Sequence, residues 1–230
     1  MHHIFVHAAK PEDWQKNLAN PQKHWRLGYS AWALAHCWMA TEGFPIEINR
    51  LFEASGIPTF QTVTPLIIIP EYLVALPPLK GHPSQNDLFV LAKSADGDLI
   101  SLTVEGKVSE SFDKTVGDWL AKPTRGKKVR LEHIQNLLGL SDIPPHIRYQ
   151  LLHRTASAIT EALRFNANYA AMIVHSFSQQ DSWFEDFAAF IRLYGVQSQP
   201  GQLFHLVNTQ GVELFAGWAR GDVKYLEVLP

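Results

Sequence analysis

Two carboxylates, Asp87 and Glu105, and one ammonium group, Lys107, stand around Gly106 in a stretch rich in strand-forming residues. If folding brings them together, their chemistry is that of a site for a hard divalent cation. Carboxylates on directly opposed strand positions have Cβ atoms about 5 Å apart, and a cation between them removes the repulsion. Carboxylate oxygens favour Mg²⁺ or Mn²⁺ over softer metals, and Gly106, lacking a Cβ, would let its own carbonyl approach the same ion. Lys107 beside a metal-bound water would hold or deprotonate the nucleophile, or neutralise charge growing on a phosphate oxygen. The plain alternative is an exposed hairpin in which an acid and Lys107 pair across the strands with little energetic consequence.

Whether these groups meet depends on the elements that carry them. Residues 87–93 and 99–108 are β-rich, and Asp96-Gly97 between them is a hairpin signal, so the two runs should pair antiparallel. A slip of one residue would send the two acids to opposite faces. A three-residue loop, with Gly97 at positive φ, sets Ser94 opposite Asp98 and Asp87 opposite Glu105; a two-residue loop would set Asp87 opposite Gly106. The first register is the expected one. It gathers Leu88, Val90, Ile100, Leu102, Val104 and Val108 on one apolar face and leaves Asp87, Ser101, Thr103, Glu105 and Lys107 on the other.

Around this hairpin the sequence predicts a short strand over residues 2–7, helices over 29–41 and 45–55, and a strand over 64–75 in which Pro70 implies a sheet edge or a bulge near Glu71. Two short helices, 112–120 and 129–138, flank a basic turn holding Lys122, Arg125, Lys127, Lys128 and Arg130, and residues 109–146 form a helical insertion. That turn is either a phosphate track or a solvated loop. A long helix over 147–165 follows, with Gln150, Arg154, Ser157 and Glu161 on a different side from its apolar positions. The strand at 169–177 should return parallel to one hairpin strand, giving a mixed sheet, and a helix over 183–194 and a hairpin of strands 202–208 and 212–218 close the chain. The expected class is α/β, a central mixed β-sheet flanked by helices.

With 230 residues, 46% hydrophobic and 18% charged, the chain has apolar material for one sizeable core and too few charges for a disordered protein. A single domain is expected, with its core over about residues 45–177. The lone cysteine, Cys37, excludes an intramolecular disulfide and suits a reducing, cytoplasmic setting. The most apolar stretch, 64–79, is cut by Pro65, Pro70, Glu71, Pro77 and Pro78, which argues against a membrane span. A net charge of −2 speaks against non-specific coating of nucleic acid but leaves room for an enzyme with a local basic track. His153 and His175 read as hydrogen-bonded core or surface residues, and neither Cys37 nor Ser176 shows the setting of a nucleophile.

The order helix, strand, strand, strand, helix, strand, with Asp87 entering the second strand and Glu105-Gly106-Lys107 on the third, resembles the restriction-endonuclease-like, or PD-(D/E)xK, superfamily. The resemblance covers roughly residues 47–177; residues 28–35, 104–107 and 147–157 are also similar to an uncharacterised bacterial family. The superfamily resemblance implies Mg²⁺-dependent phosphodiester hydrolysis, with Asp87, Glu105 and Gly106 at the metal and Lys107 near the attacking water. It further implies an acid from an earlier element, for which Glu71 and Glu47 are candidates, and a polar residue from the long helix, for which Gln150 and Arg154 are candidates. Asn86 stands where the superfamily motif has proline, and Arg154 stands where the exonuclease branch has tyrosine.

The leading expectation is therefore a metal-dependent nuclease acting on DNA, in repair or defence, with Lys127, Lys128, Arg130 and Arg154 contacting nucleic acid. The alternative is a non-catalytic member of the same fold that binds nucleic acid or protein, a second copy of itself included.

Overall fold

The computed structural model describes residues 8–78 and 81–227; the expected strand at 2–7 lies outside them. Six strands form one mixed sheet in the order β1-β2-β3-β4-β6-β5. They are β1 (Val63–Val74), β2 (Ser84–Ser94), β3 (Leu99–Lys107), β4 (Tyr169–Ser176), β5 (Leu203–Thr209) and β6 (Val212–Arg220). The β1–β2, β2–β3 and β5–β6 pairs are antiparallel, whereas β4 runs parallel to both β3 and β6. The class is α/β, with helices on both faces of the sheet.

The expected hairpin register is the one found. Leu88 pairs with Val104 and Lys93 with Leu99, a register that, carried one position further at each end, sets Asp87 opposite Glu105 and Ser94 opposite Asp98. Gly97 takes φ +96°, and the Ser94 N–H donates to Asp98 O at 2.9 Å. Leu88, Val90, Ile100, Leu102 and Val104 enter a core layer with α2 (Ser30–Met39) and α3 (Ile46–Ala54). The polar face of β3 is not solvated: Ser101 and Thr103 are fully buried beneath α7 (Tyr149–Phe165).

Strand β3 and helix α7 are in step. Ser101 Oγ donates to Ala158 O at 2.8 Å, Thr103 Oγ1 donates to Arg154 O at 3.0 Å, and the Glu105 carboxylate accepts from Gln150 Nε2 at 2.7 Å. Two residues of strand rise roughly 6.7 Å and four residues of helix about 6.0 Å, so alternate strand positions meet every fourth helix position in reverse order. Hydroxyls thus fix the helix against the strand and bring its first turns over Glu105.

Several elements differ from expectation. The long helix begins at Tyr149, because the Tyr149 N–H bonds to Lys114 O and residues 144–147 form a turn. Its expected polar side is largely buried: Arg154, Ser157 and Glu161 lie inside with the apolar residues, because β1, β2 and β3 cover that side. The first short helix is only α5 (Val116–Leu120). The basic turn is the start of α6 (Arg125–Leu137), with Thr124 Oγ1 accepting the Lys127 N–H at 3.2 Å as the N-cap. Gly139, at φ +66°, follows its end. The final hairpin turns through Gln210 and Gly211 alone, both at positive φ, which lets Thr209 pair directly with Val212. No helix among the described residues is long and apolar enough to cross a membrane.

Candidate active site

Glu105, Lys107 and Asp87 share one face at the ends of β3 and β2, at a cavity of about 530 Å³ also lined by Glu71, Gln150 and Arg154. Each reaches it by a local device. Asp87 is fixed by the Gly106 N–H, which donates to Oδ2 at 2.8 Å. Gly106 has no Cβ because its Cα faces Leu34, Ser30 and the Asp87 carboxylate; an added Cβ would lie 3.4 Å from all three. Glu71 follows Pro70 on the edge strand β1 and takes φ +54°, so the chain kinks there, and Gln85 Nε2 donates to its Oε2 at 2.7 Å.

Glu105 is the charge centre. Its Oε1 accepts from Lys107 Nζ at 2.6 Å and from Gln150 Nε2, and its Oε2 accepts from Arg154 Nε at 2.6 Å. Burial alone would raise its pKa, but Arg154 and Lys107 outweigh it and hold the carboxyl well below the ordinary range. The other acids lack that neutralisation. Burial, with Glu105 nearby, pushes Asp87 up to about 7; burial, with Asp87 nearby, pushes Glu71 up to about 9. Arg154 lies 3.8 Å from Asp87, a longer and weaker contact than the one it makes with Glu105. Near neutral pH this end of the cavity therefore holds protons that a cation could replace.

The other anticipated residues lie elsewhere. Glu47 is across the sheet on α3, in a cluster with Cys37 and His175 whose ligand atoms all lie within 4.8 Å of one another. Among the described residues this is the one such metal-sized set, so the carboxylates of Glu71, Asp87 and Glu105 stand further apart as a trio. In the Cys37 cluster, Trp38 Nε1 donates to His175 Nδ1 at 3.2 Å, and burial lowers the histidine pKa to about 3. A neutral imidazole that accepts at Nδ1 carries its proton on Nε2, the nitrogen a metal would need. Burial also raises the Cys37 thiol pKa well above its ordinary value, so this cluster has the character of core packing.

The basic residues do not form one track. Lys127 Nζ donates to Trp119 O and Lys122 O, while Arg130 donates to the carbonyls of Leu76, Pro77 and His82. Lys122, Arg125 and Lys128 are exposed. Arg154, expected at nucleic acid, is 8% exposed and committed to Glu105.

Sequence reasoning passed over several wall residues. Gln85 lies two positions before Asp87 on the same strand face, so strict alternation would have found it. Glu110 accepts from the Ser30 N–H at 2.8 Å and the Val108 N–H at 2.9 Å, tying the start of α2 to the end of β3. Lys23 and His24 also line the cavity, from α1 (Pro21–His24). No periodic pattern links so short a helix to residues far along the chain.

An open mixed sheet with carboxylates gathered at the ends of two adjacent strands defines the structural class. Within it, the chain belongs to the family described as Domain of unknown function (DUF6946), whose model matches residues 7–223. No curated protein and no solved structure matches the chain significantly.

Proposed function

We propose that this protein is a cytoplasmic, metal-dependent phosphodiesterase acting on nucleic acid, DNA foremost, built on a restriction-endonuclease-like core. The order α3, β1, β2, β3, α7, β4 supports that core, with Asp87 and the Glu105-Gly106-Lys107 run on adjacent antiparallel strands. The observation that carries the function is the pair of acids, Glu71 and Asp87, facing a cavity beside ionised Glu105 with their carboxyls pushed toward the protonated form. The donor set is all oxygen and suits a hard cation. Asp87 and Glu105 would hold Mg²⁺ or Mn²⁺, with Glu71 joining them by a side-chain movement, since the three carboxylates stand wider than one ion spans; the ion, when bound, would polarise a phosphoryl oxygen and acidify water. Lys107, buried and held by Glu105 and by Gln150 at 3.3 Å, keeps an ammonium group aimed at the same point, where it offsets charge growing on phosphate. Gln150 orients Glu105 and Lys107 together.

One observation favours the non-catalytic alternative. Both Glu105 oxygens already have cationic partners, so a metal would have to displace or share them. The test is cleavage of single- and double-stranded DNA and RNA by the folded protein with Mg²⁺, Mn²⁺ or chelator, alongside Asp87→Asn. Cleavage with either metal, absent in chelator and in Asp87→Asn, is expected. If none of the substrates is cut, or cutting persists in chelator, the non-catalytic reading takes its place.

A further inference from the structure

A second cavity, of about 410 Å³, lies on the other side of the first turns of α7. Gln150 and Arg154 face the carboxylates, while Tyr149 and His153 face this second space; Gln85 and Ser84 divide in the same way on β2. Its character is opposite to that of its neighbour. Among the described residues no acid lines it, and the lining includes Arg130 and Lys127.

Both cations are held rigidly by neutral groups. The Arg130 guanidinium spends three donors on the carbonyls of Leu76, Pro77 and His82, at 2.8, 3.2 and 2.6 Å, and Lys127 caps the carbonyls of Trp119 and Lys122. Carbonyls orient such groups without cancelling their charge, and a guanidinium has five donors in all. The Tyr149 hydroxyl is buried beside Arg130 with no hydrogen bond of good geometry. Arg130 can only donate, so the hydroxyl hydrogen is unspent, but the oxygen is closed off from the cavity by its neighbours. The rest of the lining combines Pro78, Pro83 and the edge of a column in which Trp119 and Tyr149 stack at 4.0 Å with the polar residues His82, Ser84, Thr124 and His153. Fixed positive charge beside flat proline and aromatic walls in a pocket of small-ligand size describes a receptor for an anion carried on a flat apolar body.

We propose that this cavity is a nucleotide-binding site, with the phosphate toward Arg130 and Lys127 and the base against the proline and aromatic walls. That the apolar body is a nucleoside rests on the proposed function; that it is anionic does not. The site lies on the other side of the first turns of α7 from the carboxylates.

The test is calorimetric titration with adenosine monophosphate and with inorganic phosphate, both in chelator so that the carboxylate site takes no part. The nucleotide should bind at least tenfold more tightly than phosphate, with Trp119 fluorescence quenched. Lys127→Gln, which removes the charge, should weaken binding about tenfold, and Tyr149→Phe, which keeps the stack, should leave it unchanged. Asp87→Asn should leave it unchanged, which separates failure here from failure of the cleavage reading. No nucleotide binding, equal binding of phosphate, or affinity unchanged in Lys127→Gln would overturn the proposal.

Discussion

Arg154 Nε donates to Glu105 Oε2 at 2.6 Å between two side chains that are both nearly closed to solvent. A buried ion pair contributes little against an apolar replacement of both partners, but losing one partner strands the other charge. Arg154→Met should therefore destabilise the fold by about 3 kcal/mol or more, and urea denaturation at pH 7 measures it. The remaining Glu105–Lys107 contact would still hold one carboxylate oxygen. A midpoint equal to that of wild type would show that Arg154 is not the partner that keeps Glu105 ionised.

The three acids respond to pH in opposite senses. Asp87 and Glu71 have raised carboxyls, so the stability they add is full below the ordinary values of 3.8 and 4.5 and is lost as pH rises through about 7 and about 9. Glu105 is depressed, so its contribution is present above 4.5 and lost in strong acid. The buried neutral imidazoles of His153 and His175 offset this below about pH 6.5, so metal-free protein should lose on the order of 1–3 kcal/mol between about pH 6.5 and pH 8. Mg²⁺ or Mn²⁺ should reverse the slope and release protons on binding at pH 7, read by calorimetry in buffers of different ionisation enthalpy. Metal-free stability that rises between about pH 6.5 and pH 8 would contradict this arrangement.

The hairpin was legible because two independent signals agreed. Gly97 set the loop, and the alternation of Leu88, Val90, Ile100, Leu102 and Val104 set the face, so the juxtaposition of Asp87 with Glu105 followed. The charges were less legible. Arg154 and Glu161 looked like the wet side of an amphipathic helix, yet in a sheet covered on both faces a helix can bury polar residues when the strand supplies their partners. Tyr72, from the edge strand, donates to Glu161 at 3.0 Å just as Glu105 receives Arg154. Arg130 looked like part of a basic run and is instead a clasp on the chain after β1, a role set by tertiary contact rather than local composition.

That division within the basic segment is testable. Lys128 is exposed on α6, so Lys128→Ala should leave stability within about 0.5 kcal/mol and lower the salt dependence of DNA binding by about one unit of slope. Arg130→Ala frees three carbonyls and should lower the melting temperature by several degrees. Filter binding across a salt series and thermal melts separate the two. A slope unchanged in Lys128→Ala would remove α6 from any nucleic-acid surface.

Asp87 and Glu105 offer two ways to break the same site, and the fold should tell them apart. Asp87→Asn replaces a carboxyl that is already half-protonated near pH 7 with a neutral amide whose oxygen can still accept the Gly106 N–H. It removes the repulsion with Glu105, so the metal-free variant should equal or exceed wild type in stability at pH 8 while losing its response to Mg²⁺. Glu105→Gln leaves Lys107 and Arg154 buried without their counter-charge and should cost about 3–5 kcal/mol. Lost activity in Glu105→Gln would then be confounded with lost structure, whereas Asp87→Asn reports on the metal alone. Melting curves of both variants at pH 8, with and without about 5 mM Mg²⁺, make the comparison. A less stable Asp87→Asn beside an unperturbed Glu105→Gln would mean that the charge centre of the site is Asp87, and the assignment of roles would have to be exchanged.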